Sequence, residues 1–202
     1  MDYTKYKISR DLAWQILLNE GVTELPVRVT ALARDMGIGV HTFDPESWSD
    51  HAVWQEIDPE SWRGGDGFTA TFAGNPHIFV STRCQRQRQR FTCAHELGHI
   101  LLGHVGNYRL VNREPDPQDN PIEQAANVFA SRILAPACVL WALDARTPEQ
   151  IVALCDISLQ SATFRAQRME LLYKRDAFLR SPLERQVYDQ FAEFIRSRSP
   201  ND

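Results

Sequence analysis

The sequence predicts an α+β fold that consists of a small sheet, helices ahead of it and a helical C-terminal extension. Two short strand-like runs occupy residues 68–72 and 77–81, with the turn signal Gly74-Asn75-Pro76 between them. On both sides of these runs, apolar residues recur at helical spacing. A chain of 202 residues with 43% apolar content is long enough to bury one core and a small satellite.

The elements ahead of these strands are two helices and a third strand. Residues 9–20 carry apolar residues at helical spacing, and residues 29–36 form a shorter helix that ends at Gly37. Residues 40–43 have the character of a strand. These elements complete the predicted N-terminal part of the fold.

A helix after the strands carries the pattern His95-Glu96-x-x-His99. Histidines four residues apart project from one face of a helix, with about 5–6 Å between their β-carbons, so both imidazoles can bind one metal ion. Glu96 lies about a third of a turn from His95, which makes it a poor third ligand but a suitable base for deprotonating water. The pattern predicts a hydrolytic zinc site in which Glu96 is the general base.

The residues around this pattern favour a helix with a buried face. Ala94 and Leu97 recur at helical spacing with later leucines, and Gly103 follows as a stop. Cys93 lies two residues before His95 and therefore points to a different face. We expect an inert thiol at Cys93 rather than a nucleophile.

A zinc site of this kind needs a third protein ligand, and two candidates lie downstream. His104 lies five residues after His99, but the metzincin pattern places its third histidine six residues after the second. An ordinary histidine near a helix end is the simpler interpretation of His104. Glu123, on a second predicted helix, is the better candidate.

The helix that carries Glu123 has clear start and stop signals. Asn120 is its N-cap, Pro121 occupies the first helical position, and the helix closes before Pro136. An asparagine cap followed three residues later by glutamate also fits a capping box, in which Glu123 only reaches back to the amide of the cap. The histidine pair without a third ligand favours Glu123 as that ligand, with Asn127, one turn on, orienting a ligand.

The C-terminal extension begins with a helical hairpin at residues 148–173 that resembles a helix-turn-helix. Thr147 and Ser158 cap its two helices. We expect Arg165 and Arg168 on a side of the second helix away from Leu171 and Leu172. Two interpretations stay open: the second helix reads DNA, or the hairpin completes the core or binds a partner protein. The net charge of −4 supplies no general attraction to phosphates, so the second interpretation is favoured over direct DNA binding.

The chain ends in a helix with one strongly apolar stripe, predicted over residues 182–196. Ser181 and Glu184 form the capping-box start of this helix. Such a helix must dock on its own domain, on a second copy or on a partner, and the sequence predicts no particular oligomeric state. We expect residues 1–140 to form one domain and residues 141–202 to be a helical extension packed on it.

The composition predicts a cytoplasmic protein. No apolar run is long enough to cross a membrane, and the N-terminus lacks the apolar core of a secretory signal. The four cysteines show no Cys-x-x-Cys pair, as expected of reduced thiols. A zinc site built from cysteines is therefore not expected.

The combination of these motifs resembles the ImmA/IrrE family of metallo-endopeptidases. The glutamate-x-x-x-asparagine element is also similar to the glutamate-x-x-x-aspartate element of thermolysin-like gluzincins. The resemblance implies a zincin-like fold, zinc bound by His95, His99 and Glu123, and Glu96 as the general base. The residues that carry it are Arg90-Phe91-Thr92-Cys93-Ala94-His95-Glu96-Leu97-Gly98-His99-Ile100-Leu101-Leu102, then Glu123-x-x-Ala126-Asn127-x-Phe129-Ala130, then Leu134-Ala135-Pro136.

The resemblance further implies a protease that cleaves a helix-turn-helix repressor of a phage, a mobile element or a stress operon. We expect the substrate to bind as an extended peptide that pairs with residues 68–72 or 78–80. Tyr108 and His104 are candidates for stabilising the oxyanion. The rival interpretation is a non-catalytic zinc-binding regulator that binds a repressor or DNA without cutting, and a zinc hydrolase of small amides also fits the motif.

Overall fold

The computed structural model of the protein describes residues 6–44, 65–72, 74–104 and 120–198. Over those ranges the chain has the predicted α+β architecture, in which nine helices accompany one three-stranded sheet. None of the helices in these ranges is long and apolar enough to cross a membrane. In chain order the elements are α1 (Lys7–Asn19), α2 (Val29–Asp35), β1 (Gly39–Phe43), β2 (Gly67–Phe72), β3 (Asn75–Ser81), α3 (Arg86–Leu101), α4 (Pro121–Leu134), α5 (Ala137–Ala142), α6 (Pro148–Cys155), α7 (Leu159–Lys174), α8 (Pro182–Gln190) and α9 (Ala192–Arg198).

The chain divides into two compact units. One unit is Val29–Asn127, and the other joins Met1–Arg28 to Val128–Asp202. The candidate metal ligands all lie in the first unit. The predicted division into domains at residue 140 stays a prediction.

The sheet of the Val29–Asn127 unit has the strand order β1-β3-β2. β1 runs parallel to β3, and β2 is antiparallel to β3 after a turn at Gly74, whose φ of +83° suits glycine. Ile78, Phe79 and Val80 of the central strand are at most 3% exposed. The three predicted strands are confirmed, and β2 is an edge of the described sheet.

Helix α3 packs against β2 and β3 and carries the histidine motif. Gly67 allows this close packing, because a β-carbon at that position would clash with the Thr92 side chain and the Phe79 carbonyl oxygen. Side chains alternate along a strand, so Thr69 points to the same face of the sheet as Gly67. The predicted buried face of the motif helix is confirmed.

Helix α4 starts as the sequence predicts. The backbone N–H of Ile122 donates to the Asn120 side chain at 2.9 Å, so Asn120 caps the helix, and Pro121 is its first residue. The helix ends at Leu134. Glu123 therefore lies in the first helical turn.

The predicted C-terminal hairpin is formed by α6 and α7. Thr147 and Gln150 make a reciprocal capping box at the start of α6, and Ser158 accepts a hydrogen bond from the Ser161 N–H at the start of α7. Asp156 takes the left-handed conformation, with φ of +50°, where α6 ends. Both helices and the tight turn between them are confirmed.

The exposed side of α7 differs from the predicted one. Arg165 is 1% exposed, whereas Leu171 is 39% exposed and Phe164 is 63% exposed. The buried stripe of the helix runs through Ala162, Arg165 and Met169. No hydrogen-bond partner among the described residues meets the Arg165 guanidinium, and burial lowers its pKa to about 10. An arginine held in the core is not available to phosphates, so Arg165 does not support the DNA-reading interpretation, which the sequence already disfavours.

The single terminal helix predicted over residues 182–196 is in fact two helices. α8 and α9 meet at Phe191, whose N–H is shared between the carbonyls of Val187 and Tyr188, and this sharing tightens the turn. The buried stripe still continues through Val187, Phe191 and Ile195. Because α8 packs against α1 and α5, the apolar stripe docks on its own chain.

Candidate metal centre

Three side chains from α3 and α4 converge at one point. His95 and His99 lie one turn apart on α3, and their Nε2 atoms are 2.9 Å apart. Glu123 reaches them from the first turn of α4, with Oε2 3.2 Å from His95 Nε2 and Oε1 3.4 Å from His99 Nε2. One ligand atom from each residue lies within 4.8 Å of the others, so the three residues can hold a metal ion.

Glu123 turns towards the histidines and away from the start of its helix. A capping glutamate would reach back to the backbone N–H of Asn120. Each carboxylate oxygen of Glu123 instead faces an imidazole, while the Asn120 side chain accepts from the Ile122 N–H. The helix cap and the cluster thus use different side chains.

The histidines of the cluster favour the ionised form of the Glu123 carboxyl group, which is the form that binds a metal ion. Hydrogen bonds with His95 and then His99 hold the pKa of the Glu123 carboxyl well below its usual range, against the opposite effect of burial. Burial lowers the pKa of His95, but the hydrogen bond with Glu123 and the charges of Glu96 and Glu123 outweigh it and raise this pKa overall. A metal ion must displace protons from the imidazoles, so we expect its affinity to fall as the pH is lowered.

The donor set suits a transition-metal ion. Two imidazole nitrogens and one carboxylate oxygen match the ligands of catalytic zinc sites, in which a fourth position stays open. His104 is not among the described residues whose ligand atoms converge. The donor chemistry fits zinc and its neighbours in the first transition row.

The second ring nitrogen of each histidine in the cluster, Nδ1, contacts a different neighbouring side chain. His95 Nδ1 lies 2.9 Å from Asn127 Oδ1, and His99 Nδ1 lies 3.1 Å from His104 Nδ1. Burial, and then the neighbouring His99, lower the pKa of His104. Asn127 has the contact that its predicted orienting role requires. The sequence does not reveal the contact of His104, whose only signal is its place just past the helix stop at Gly103.

Glu96 lies outside the converging cluster and is held by a strand. Thr69 of β2 donates from Oγ1 to Glu96 Oε2 at 2.8 Å. The sequence alone does not predict this contact. The alternation of β2 does place Thr69 on the same face of the sheet as Gly67, the face that packs against α3. One carboxylate oxygen of Glu96 is therefore occupied by a hydroxyl group.

Cys93 does not join the site. Cys93 is 1% exposed, and burial raises the pKa of its thiol to about 11, so it is protonated at neutral pH. Tyr108, the other predicted oxyanion candidate, lies outside the described residues.

The fold and the site together define a zincin-like domain of the metallopeptidase type. Residues 49–167 match the family model described as Peptidase M78, IrrE N-terminal-like domain, and the chain belongs to this family. The resemblance to the ImmA/IrrE family is thereby confirmed. No curated protein matches the chain significantly. Family membership supports a metallopeptidase-type hydrolase, and the geometry shows that His95, His99 and Glu123 could hold a metal ion.

Proposed function

We propose that the protein is a zinc-dependent endopeptidase that cleaves a helix-turn-helix repressor at one exposed site. The observation that carries the proposal is the convergence of His95, His99 and Glu123 beside Glu96 in a chain of a peptidase family. The repressor as substrate rests on the sequence resemblance. A repressor is an intracellular target, so the proposal includes a cytoplasmic enzyme.

The proposed mechanism assigns proton transfer to Glu96. A zinc ion held by the three ligands would supply positive charge that polarises the scissile carbonyl and makes water more acidic. Glu96 then accepts a proton from water and later delivers it to the leaving amine. Because Thr69 engages Oε2 of Glu96, the other oxygen, Oε1, is the one assigned to the transferred proton.

The proposed binding site for the peptide is strand β2. β2 lies at the edge of the described sheet, and its Thr69 contacts the general base, so a peptide paired with this edge passes next to Glu96. Residues 78–80, the other predicted pairing strand, belong to β3, which is paired with β1 on one side and β2 on the other. Of the two predicted alternatives, the described sheet therefore favours residues 68–72.

The substrate proposal predicts selective, metal-dependent cutting. We expect the purified protein to cleave the helix-turn-helix repressor encoded at its own locus at a single bond, and to cleave unfolded casein far more slowly. The check is co-incubation with each substrate, with and without a chelator, followed by mass spectrometry of the products.

The outcomes of this test separate the rival functions. Equal digestion of casein would contradict selectivity. Cleavage that persists in chelator would contradict the metal mechanism. Repressor binding without any cutting would favour the non-catalytic regulator, and sequence-specific DNA binding lost on Arg168→Ala would favour a DNA-binding role of the hairpin.

Thr69 gives a prediction on the general base. Thr69→Val removes the hydroxyl that engages Glu96 but keeps the branched shape, so we expect turnover to fall roughly 10-fold, the equivalent of about 1.5 kcal/mol for a hydrogen bond to a charged group. Bound zinc should be unchanged. The measurement is the rate on the repressor together with metal content.

Thr69→Ser is the matched control, because serine keeps the hydroxyl group in β2. We expect this variant to stay near the wild-type rate. Equal losses in the valine and serine variants would assign the effect to packing of the strand rather than to the contact with Glu96.

A further inference from the structure

The contact between His99 and His104 is built into the end of α3. The His104 N–H donates to the His99 carbonyl at 2.9 Å, and the Gly103 N–H donates to the Ile100 carbonyl at 3.1 Å. Gly103 has φ of +73°. These are the two hydrogen bonds and the left-handed glycine of a Schellman motif, which turns the residue after the glycine back over the last helical turn. The backbone therefore carries His104 to His99.

The side chains meet where this motif usually brings apolar groups together. His104 Nδ1 is 3.1 Å from His99 Nδ1. The opposite nitrogen of His99, Nε2, faces the cluster, 2.9 Å from His95 Nε2 and 3.4 Å from Glu123 Oε1. Nε2 of His99 thus faces the other candidate ligands, and Nδ1 faces His104.

The tautomer of His99 follows from this division. An imidazole binds a metal through an unprotonated nitrogen, and a neutral ring then carries its proton on the other nitrogen. With Nε2 turned to the metal ligands, the proton of His99 is on Nδ1 and requires an acceptor. His104 Nδ1 is within hydrogen-bonding distance, and it accepts when the proton of His104 is on its own Nε2.

We propose that His104 is a positioning residue that accepts a hydrogen bond from His99 Nδ1–H and so fixes the tautomer and the ring orientation of that metal ligand. Asn127 Oδ1, at 2.9 Å from His95 Nδ1, occupies the corresponding place for the first histidine. The inference rests on the proposed metal site, and it gives His104 a task other than ligand or oxyanion donor. Loss of such a partner typically lowers metal affinity about 10- to 100-fold.

Two substitutions of His104 by side chains of similar size distinguish the loss of the hydrogen-bond acceptor from a change in packing. In asparagine, Oδ1 occupies the same place along the side chain as Nδ1 does in histidine, so His104→Asn keeps an acceptor near His99. His104→Leu has the same branching as asparagine but no acceptor. We expect His104→Asn to bind zinc within about 3-fold of wild type and His104→Leu to bind it about 10- to 100-fold more weakly.

The sheet supplies a matched control. His77 Nδ1 lies 3.0 Å from His41 Nε2, a histidine contact of the same kind that involves none of the metal ligands. His77→Leu should leave zinc affinity unchanged. All four proteins are titrated at one pH against a chromophoric zinc chelator, and thermal melts of the same samples compare their folding.

A second measurement already tests the proposal on the wild-type protein. In zinc-loaded wild-type protein with 15N-labelled imidazoles, the proton on His99 Nδ1 should exchange slowly with solvent, because it is hydrogen-bonded. Its signal should broaden or vanish in His104→Leu and persist in His104→Asn. A rapidly exchanging His99 Nδ1 proton in the wild-type protein would overturn the proposal even if the leucine variant does not fold.

The remaining outcomes distinguish this inference from the proposed function. Wild-type protein that binds no stoichiometric zinc would overturn both. Wild-type protein that binds zinc, with His104→Leu equally tight or His104→Asn as weak as His104→Leu, would overturn the positioning role alone. Loss of zinc in His104→Leu as complete as in His99→Ala would identify His104 as a ligand and also overturn it.

Discussion

Glu96→Gln is expected to keep the fold and the bound zinc while turnover falls by about 10²- to 10⁴-fold, the usual contribution of a general base. Glutamine is nearly isosteric with glutamate, and its amide oxygen can still accept from Thr69 Oγ1, which lies 2.8 Å from Glu96 Oε2. It cannot take up a proton from water at neutral pH. Only the proton-transfer step should therefore suffer, and rate measurements on the repressor alongside metal analysis check this.

Glu24→Gln is the matched control for that substitution. Glu24 lies on the surface, where its exposed side chain is 3.4 Å from Arg28, so the same chemical change there should leave turnover unaltered. Undiminished turnover in Glu96→Gln would remove Glu96 from the mechanism. A wild-type protein that binds the repressor but never cuts it would instead favour a regulator that retains the fold.

Features that lie within one helix are the ones the sequence predicts well. The spacing of His95 and His99 fixes their common face, because the helical repeat is a property of the backbone itself. The start of α4 is equally local, since Asn120 caps the helix through the nearby Ile122 N–H. Strand β2 and its turn at Gly74 are likewise indicated by alternation and turn chemistry.

Features that depend on packing between elements are only partly predictable. The sequence singles out Glu123, because an incomplete ligand set calls for a carboxylate, yet its approach to the histidines is set by where α4 lies. Thr69 and Glu96 are 27 residues apart in the sequence, and no local pattern predicts a contact over that separation. His104 depends on the exact conformation of the helix end, where a shift of one residue would place a different side chain over His99.

The phase of a helix can also be misread when its buried stripe contains a charged residue. Leucines in α7 indicate a buried face, but Leu171 is 39% exposed while Arg165 is buried. Ala162, Arg165 and Met169 are three and four residues apart and so form one stripe of the helix, although arginine is usually an exposed residue. The disfavoured DNA-reading interpretation of this helix therefore loses Arg165 as a contact.

Loss of any one of the three converging side chains should abolish stoichiometric zinc binding. His95→Ala, His99→Ala and Glu123→Ala each leave two ligands, and a two-ligand site loses more than the roughly 100-fold in affinity that removal of a supporting residue costs. Zinc content after dialysis and competition against a chelator measure the effect. Wild-type protein should hold about one zinc ion per chain.

Asn120→Ala separates the capping of α4 from metal binding, since both depend on residues at the start of that helix. This change removes the cap that accepts from the Ile122 N–H at 2.9 Å but leaves the Glu123 carboxylate in place. We expect a loss of about 1 kcal/mol in the free energy of unfolding, with zinc affinity retained. Glu123→Ala should instead lose zinc, because it removes one of the three converging ligands. If Glu123→Ala keeps full zinc affinity while a substitution of His104 loses it, the third ligand is His104 and Glu123 only supports the helix start.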